Sequence, residues 1–171
     1  MDQLLDQDES GLVSAELVTL GEQNGKPVLV SFQSPWPLFL SGGMECRDLR
    51  NPESAFVQVT TTTNGEKPLS KDLLMESVFS SSGKFGAYGS PYDIKLKRVE
   101  GGLYAVSFTT LTPGMRESER KGYISVFNID NTVFMLVTST LANRWKTQEP
   151  TLRQVAESFR ASLAPQTSFT K

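Results

Sequence analysis

Gly122-Tyr123-Ile124-Ser125-Val126-Phe127-Asn128-Ile129, then Asp130-Asn131, then Thr132-Val133-Phe134-Met135-Leu136-Val137-Thr138-Ser139-Thr140 is the stretch on which the fold turns. Two β-branched and aromatic runs, 122–129 and 133–140, flank two residues that tolerate positive φ. That arrangement predicts a tight antiparallel hairpin. Leu103 to Leu111 is another β-rich run, entered from the turn Gly101-Gly102. Before it, Tyr92, Ile94 and Leu96 alternate with Asp93, Lys95 and Lys97, giving a strand with one buried and one wet face. Thr112 to Lys121 reads as a charged loop. Beyond the hairpin, Leu152, Val155, Ala156, Phe159 and Leu163 repeat at the spacing of one helical face, so a helix is expected from about Thr147 to Leu163. Pro150 then falls in its first turn, where a missing N–H costs little.

Toward the N-terminus, Ser70 is a good N-cap for a helix from Lys71 to about Ser80. Leu69 and Leu74 are spaced as a hydrophobic staple, and Asp72 lies at the positive end of the dipole. Leu74, Met75, Val78 and Phe79 are its expected buried face, and Gly83 its stop. Phe56 to Thr63 is a strand between the breaker Asn51-Pro52 and the turn Asn64-Gly65. Met44 to Leu49 and Val28 to Phe32 are further strands. Between them lie the rigid Pro35-Trp36-Pro37 and a loop over Leu38 to Gly43. Gly21, Asn24, Gly25 and Pro27 mark a turn. Gly11 to Leu20 supports a short helix or a strand, and Met1 to Ser10 is polar and acidic, as in a mobile arm. The tally is α+β: a mostly antiparallel sheet of about six strands with helices laid on it. The expected organisation is an acidic arm and first short element over 1–22, one domain over 23–165 and a tail over 166–171.

With 171 residues, 38% hydrophobic and 21% charged, the chain has the size of one domain around one core. It contains no histidine. That removes the serine-histidine-aspartate triad, the cysteine-histidine pair, histidine zinc sites and histidine as a near-neutral acid or base. Cys46, the lone cysteine, cannot close an internal disulfide and reads as an inert, partly buried thiol. The formal charge of −2 hides an asymmetry. Asp2, Asp6, Asp8, Glu9, Glu16 and Glu22 precede any base, which leaves 17 bases against 13 acids, a net of +4, for the rest. So small an excess does not indicate a nucleic-acid binder, and no apolar run approaches the ~20 residues that cross a bilayer. The first residues resemble neither a signal nor a transit segment.

Ser80-Ser81-Ser82-Gly83-Lys84-Phe85-Gly86 is not a phosphate loop. Val78 stands where the first glycine is needed and Phe85 where the magnesium-binding hydroxyl is needed, so a flexible helix exit is expected. Asp48, Glu53, Asp93, Asp130 and Glu149 are the carboxylates available for acid–base or cation chemistry, with Asp48 and Asp93 the pair an enzyme would need. Their spacing fits no calcium loop, and solvated acids are the default. Trp145, ahead of the last helix, reads as a core anchor. The candidate partner-docking surface is Lys95, Lys97 and Arg98 with Arg116, Arg120 and Lys121. No catalytic and no cofactor-binding residue is assigned.

Asn131-Thr132-Val133-Phe134-Met135-Leu136, Leu141-Ala142-Asn143-Arg144-Trp145-Lys146, Glu149-Pro150, Leu152-Arg153-Gln154-Val155 and Ser158-Phe159 together resemble the C-terminal signature of the PsbP family, named for an extrinsic subunit of the photosystem II oxygen-evolving complex. Arg47-Asp48-Leu49-Arg50-Asn51-Pro52-Glu53-Ser54-Ala55-Phe56-Val57-Gln58-Val59 is similar to its strand, Asn-Pro turn and valine-rich strand. Phe85-Gly86-Ala87-Tyr88-Gly89-Ser90-Pro91 is similar to the segment after its first long helix. The resemblance covers roughly Val28 to Leu163.

It implies an α/β/α sandwich around an antiparallel sheet. It also implies the chloroplast thylakoid lumen, reached with a transit peptide since removed, and peripheral association with a photosynthetic membrane complex. The partner so implied is photosystem II, or alternatively photosystem I or the chloroplast dehydrogenase complex. The role is an accessory or assembly factor, with no enzymatic activity and no required cofactor. Family descriptions attach calcium or manganese handling to the oxygen-evolving subunit, which leaves a small-ligand or cation-binding module in a sheet–helix cleft as the alternative function. The chain departs from that subunit in lacking histidine and in its acidic arm, which favours a PsbP-like or PsbP-domain protein. Cyanobacterial relatives carry a lipidated N-terminal cysteine, so the internal Cys46 favours a plant or algal form.

Overall fold

The computed structural model describes residues 5–20, 25–39, 43–61 and 70–165. Residues 1–4 of the expected arm, the turn residues Gly21 and Asn24, part of the loop over Leu38 to Gly43, the Asn64-Gly65 strand end, the staple residue Leu69 and the tail over 166–171 lie outside the described residues.

The strands in chain order are β1 (Asp6–Gln7), β2 (Leu12–Val18), β3 (Pro27–Gln33), β4 (Leu38–Phe39), β5 (Glu45–Arg47) and β6 (Ser54–Thr61). After helix α1 (Lys71–Glu76) come β7 (Tyr92–Glu100), β8 (Leu103–Leu111), β9 (Glu117–Ile129) and β10 (Thr132–Leu141). A 3-10 turn (Ala142–Arg144), helix α2 (Trp145–Glu157) and β11 (Arg160–Leu163) complete the chain. Among the described residues these strands form two antiparallel sheets. The larger runs β4-β5-β6-β10-β9-β8-β7 and the smaller β1-β2-β3-β11.

The expected hairpin is present. Asp130 and Asn131 sit at φ of 51° and 63°, the paired left-handed conformation of a type I′ turn, and β9 and β10 pair from Ile129–Thr132 to Arg120–Leu141. β10 is buried on both faces. Phe134 and Leu136 face a core shared with the small sheet and α2, while Val133, Met135 and Val137 face a second core under α1. The larger sheet is therefore a central layer. The flanking-helix picture holds only in part: α2 shares its side with the four-stranded sheet, and α1 is a six-residue helix followed by turns.

Several expectations change. Gly11 to Leu20 resolves as the strand β2, because Val13 and Ala15 alternate inward against Phe32 and Val30. β1 ties Asp6 and Gln7 to that strand, and the Gln7 amide donates to the Trp36 carbonyl at 3.0 Å, so the arm is held from residue 6 onward. β2 thus pairs with β3 across the boundary expected at residue 22.

Helix α1 keeps its Ser70 cap, whose hydroxyl accepts the Leu73 N–H at 3.1 Å. It ends at Glu76, well before Gly83, and turns then bring Val78 and Phe79 onto the core while Met75 stays 40% exposed. The segment read as a flexible exit is packed: the Phe85 ring lies tilted against those of Phe108 and Phe56, at centroid distances of 4.8 and 5.6 Å.

The charged loop before β9 shrinks to 112–116, since Glu117 to Lys121 pair with β8. At the C-terminus, helix α2 stops at Glu157 and not at Leu163, and Pro150 lies inside it and not in its first turn. Residues 160–163 instead pair with Val28 to Ser31 of β3. Ala161 is buried by that pairing and Leu163 is left 47% exposed. The unpaired edge of β3 satisfies those backbone groups as well as a helix would, and it also buries Ala161.

Candidate functional site

Alternation on β7 sends Ile94 and Leu96 to the core under α1, so Lys95 and Lys97 stand on the face that carries α2. The same parity on β9 puts Tyr123 and Lys121 on that face. α2 packs mainly on β9 and β10 and reaches the end of β7, where Arg153 lies 3.8 Å from Glu100. The result is a groove of about 260 Å³ lined by Lys95, Lys97, Ala105, Ser107, Lys121 and Trp145. Lys95, Ser107 and Lys121 lie in one cross-strand row. Trp145, the expected core anchor, is half-buried and forms one wall of the groove, its ring 5.4 Å from that of Tyr123. The Tyr123 hydroxyl donates to Glu149 at 2.6 Å.

The other three basic residues lie elsewhere. Arg98 pairs with Tyr104 in the sheet and donates to the Gly101 carbonyl at 2.9 Å, and Arg116 closes the exposed 112–116 turn. Arg120 has the opposite parity to Lys121. It donates to Ser139 Oγ and to the Pro52 carbonyl, both at 2.9 Å, and lies 5.5 Å over the Phe85 ring. Burial brings its pKa down to about 10, so it is a structural cation and not a free contact.

The carboxylates are also dispersed. Asp48 and Asp93 lie near opposite edges of the larger sheet, five strand spacings or roughly 24 Å apart, too far to pair as acid and base. Asp130 is bonded to Lys26 at 2.9 Å. Glu53 is not a solvated acid: it is 1% exposed and accepts Arg144 at 2.6 and 2.9 Å and Thr140 Oγ1 at 2.5 Å. Burial raises its pKa, but these donors and the Arg144 charge more than offset that, leaving it below the ordinary glutamate range. Sequence reasoning missed this pair; its signal was the Asn51-Pro52-Glu53 and Asn143-Arg144-Trp145 segments, each conspicuous and far apart. Among the described residues no group of three His, Cys, Asp or Glu is disposed to hold a metal ion. Cys46 is fully buried, and burial pushes its thiol pKa up, away from reactivity.

Residues 57–161 of this chain match the PsbP family model, a span that begins in β6 and ends in β11 and is shorter at its N-terminal side than the resemblance read over Val28 to Leu163. All four groove residues that carry charge or an aromatic wall, Lys95, Lys97, Lys121 and Trp145, lie within it. Among solved structures, the solution structure of cyanobacterial PsbP (CyanoP) from Synechocystis sp. PCC 6803 is similar at 16% identity, covering 91% of this chain and 89% of that chain with a TM-score of 0.39. No curated protein matches the chain.

Proposed function

The chain belongs to the PsbP family, and from that membership we propose that it is a non-catalytic protein of the chloroplast thylakoid lumen, bound peripherally to a photosynthetic membrane complex and supporting its assembly or stability. Photosystem II is the first candidate partner. The match over 57–161 carries the reading. It is supported by the use of the buried carboxylate Glu53 as a structural ion-pair partner, and by a lysine groove open to solvent. Among the described residues no helix is long and apolar enough to cross a membrane, which is compatible with attachment from one side. The role needs no resident cofactor. Lysines on an open face attract an acidic surface from a distance and release it as salt screens them beyond about 10 Å at 0.1 M.

The test is fractionation of chloroplasts with an antibody to the chain, followed by its recovery from solubilised thylakoids. Co-purification with a photosystem, reduced by a salt wash, is the expected result. Recovery in the stroma or the cytosol would remove the reading.

A further inference from the structure

The groove borders the free edge of the larger sheet. β7 ends the strand order, so its outer N–H and C=O groups have no neighbouring strand among the described residues. Its register with β8 is regular from Lys95 to Arg98, between irregularities at Tyr92/Lys95 and Arg98/Glu100. Along that run Lys95 and Lys97 face the groove while Leu96 faces the other way, half-buried against the second core. None of Lys95, Lys97 and Lys121 makes a side-chain hydrogen bond or ion pair among the described residues. Glu149, on the same helix as Trp145, is already engaged by the Tyr123 hydroxyl. Glu119, two residues before Lys121 on the same face of β9, lies outside the lining.

We propose that an extended segment of a partner protein, carrying acidic residues at alternate positions and apolar residues between them, adds to β7 as an eighth strand. This rests on the peripheral-association reading and names the chemistry of the partner. A strand laid on β7 sends its side chains alternately to the two faces. Those on the groove side meet Lys95 and Lys97, with Lys121 and the Trp145 ring behind them, and select carboxylates. Those on the other side meet Ile94 and Leu96 and select apolar groups. A second copy of this chain does not fit, because β7 against β7 brings Lys95 and Lys97 against their own equivalents, and like charges across a strand pair repel. An anionic lipid surface supplies charge but neither the ladder bonds nor the alternation.

The experiment titrates a short synthetic peptide of alternating glutamate and valine into the full chain, read by tryptophan fluorescence and by NMR shifts of the 95–98 amides. Binding is expected. It should weaken by about tenfold or more in K95E/K97E/K121E, the summed effect of three exposed charge pairs, and persist in K95R/K97R/K121R. It should also weaken when alternate peptide amides are N-methylated, since that removes the ladder. Absence of binding, indifference to charge reversal or to N-methylation, self-association through β7 in sedimentation, or a stronger response to vesicles of anionic lipid than to the peptide would each overturn the proposal. Peptide binding by a protein found outside thylakoids leaves the eighth strand intact and removes the family-based reading. Thylakoid association retained by the charge-reversed variant does the opposite.

Discussion

Arg144 grips the buried carboxylate of Glu53 at two points, Nε to Oε2 at 2.6 Å and Nη2 to Oε1 at 2.9 Å, across 91 residues of sequence. The pair fastens the turn before β6 to the turn that enters α2, and so holds Trp145 at the wall of the lysine groove. Arg120 reinforces the same junction from the neighbouring carbonyl of Pro52.

Glu53→Gln keeps the shape but can accept only one of the two Arg144 hydrogen bonds, sets its amide NH2 against the other Arg144 donor and removes the ion pair, at an expected cost of about 1.5–3 kcal/mol. Urea denaturation measures it. Arg144→Ala should also destabilise, because it strands a carboxylate that is 1% exposed. An unchanged midpoint in both variants would mean that the pair is ornamental.

Acid should undo the same pair. Glu53 titrates below its ordinary range, and so does Asp48, which accepts the Arg50 N–H at 2.9 Å and the Asn51 amide at 3.2 Å. An unfolded chain takes up these protons near pH 4, where the native state still resists them. Their stabilisation is therefore complete above about pH 4.5 and is lost as pH falls through the lower native values. Melting temperature against pH should show this slope, and Glu53→Gln should flatten part of it.

At the alkaline end the sign is reversed. Burial, with donation to Glu149, pushes Tyr123 up to about 12, and donation to Glu117 pushes Tyr92 up to about 12. Unfolded tyrosine ionises near pH 10. The native state thus keeps protons that the unfolded chain has lost, and stability falls as pH rises from about 10 to 12. A near-ultraviolet titration should show a late-ionising fraction that shrinks in Tyr123→Phe; an unchanged profile would contradict the Tyr123–Glu149 bond.

Gly122→Ala should be severe. A Cβ at Gly122 would sit 1.7 Å from the Thr138 carbonyl oxygen, a backbone atom of the paired strand, so β9 and β10 must separate to admit it. A loss of roughly 3 kcal/mol or more is expected. Gly114→Ala, whose nearest neighbour would be Thr112 Oγ1 at 3.9 Å, should stay within about 0.5 kcal/mol and serves as the control in the same melts.

Much of this was legible from short-range pattern. The 130–131 turn, the alternation of β7 and the Ser70 cap each depend on residues a few positions apart, and all three are present. The long C-terminal helix misled because periodicity states only where side chains would point if the helix continued; Phe159 reaches the core from the turn after it. The six basic residues named for docking do not lie together. Lys95, Lys97 and Lys121 converge, but reading 112–121 as a loop concealed the parity that sends Arg120 to the other face.

Hairpin chirality, strand faces, the first helix start and the exclusion of histidine chemistry follow from the chain alone, since each is governed by local sterics or by composition. The small sheet that joins β1, β2 and β3 to β11, the Glu53–Arg144 pair and the lysine groove follow from none of these. They exist because strand edges and a buried charge must find partners wherever the folded chain brings them, over separations at which sequence spacing carries no geometric information.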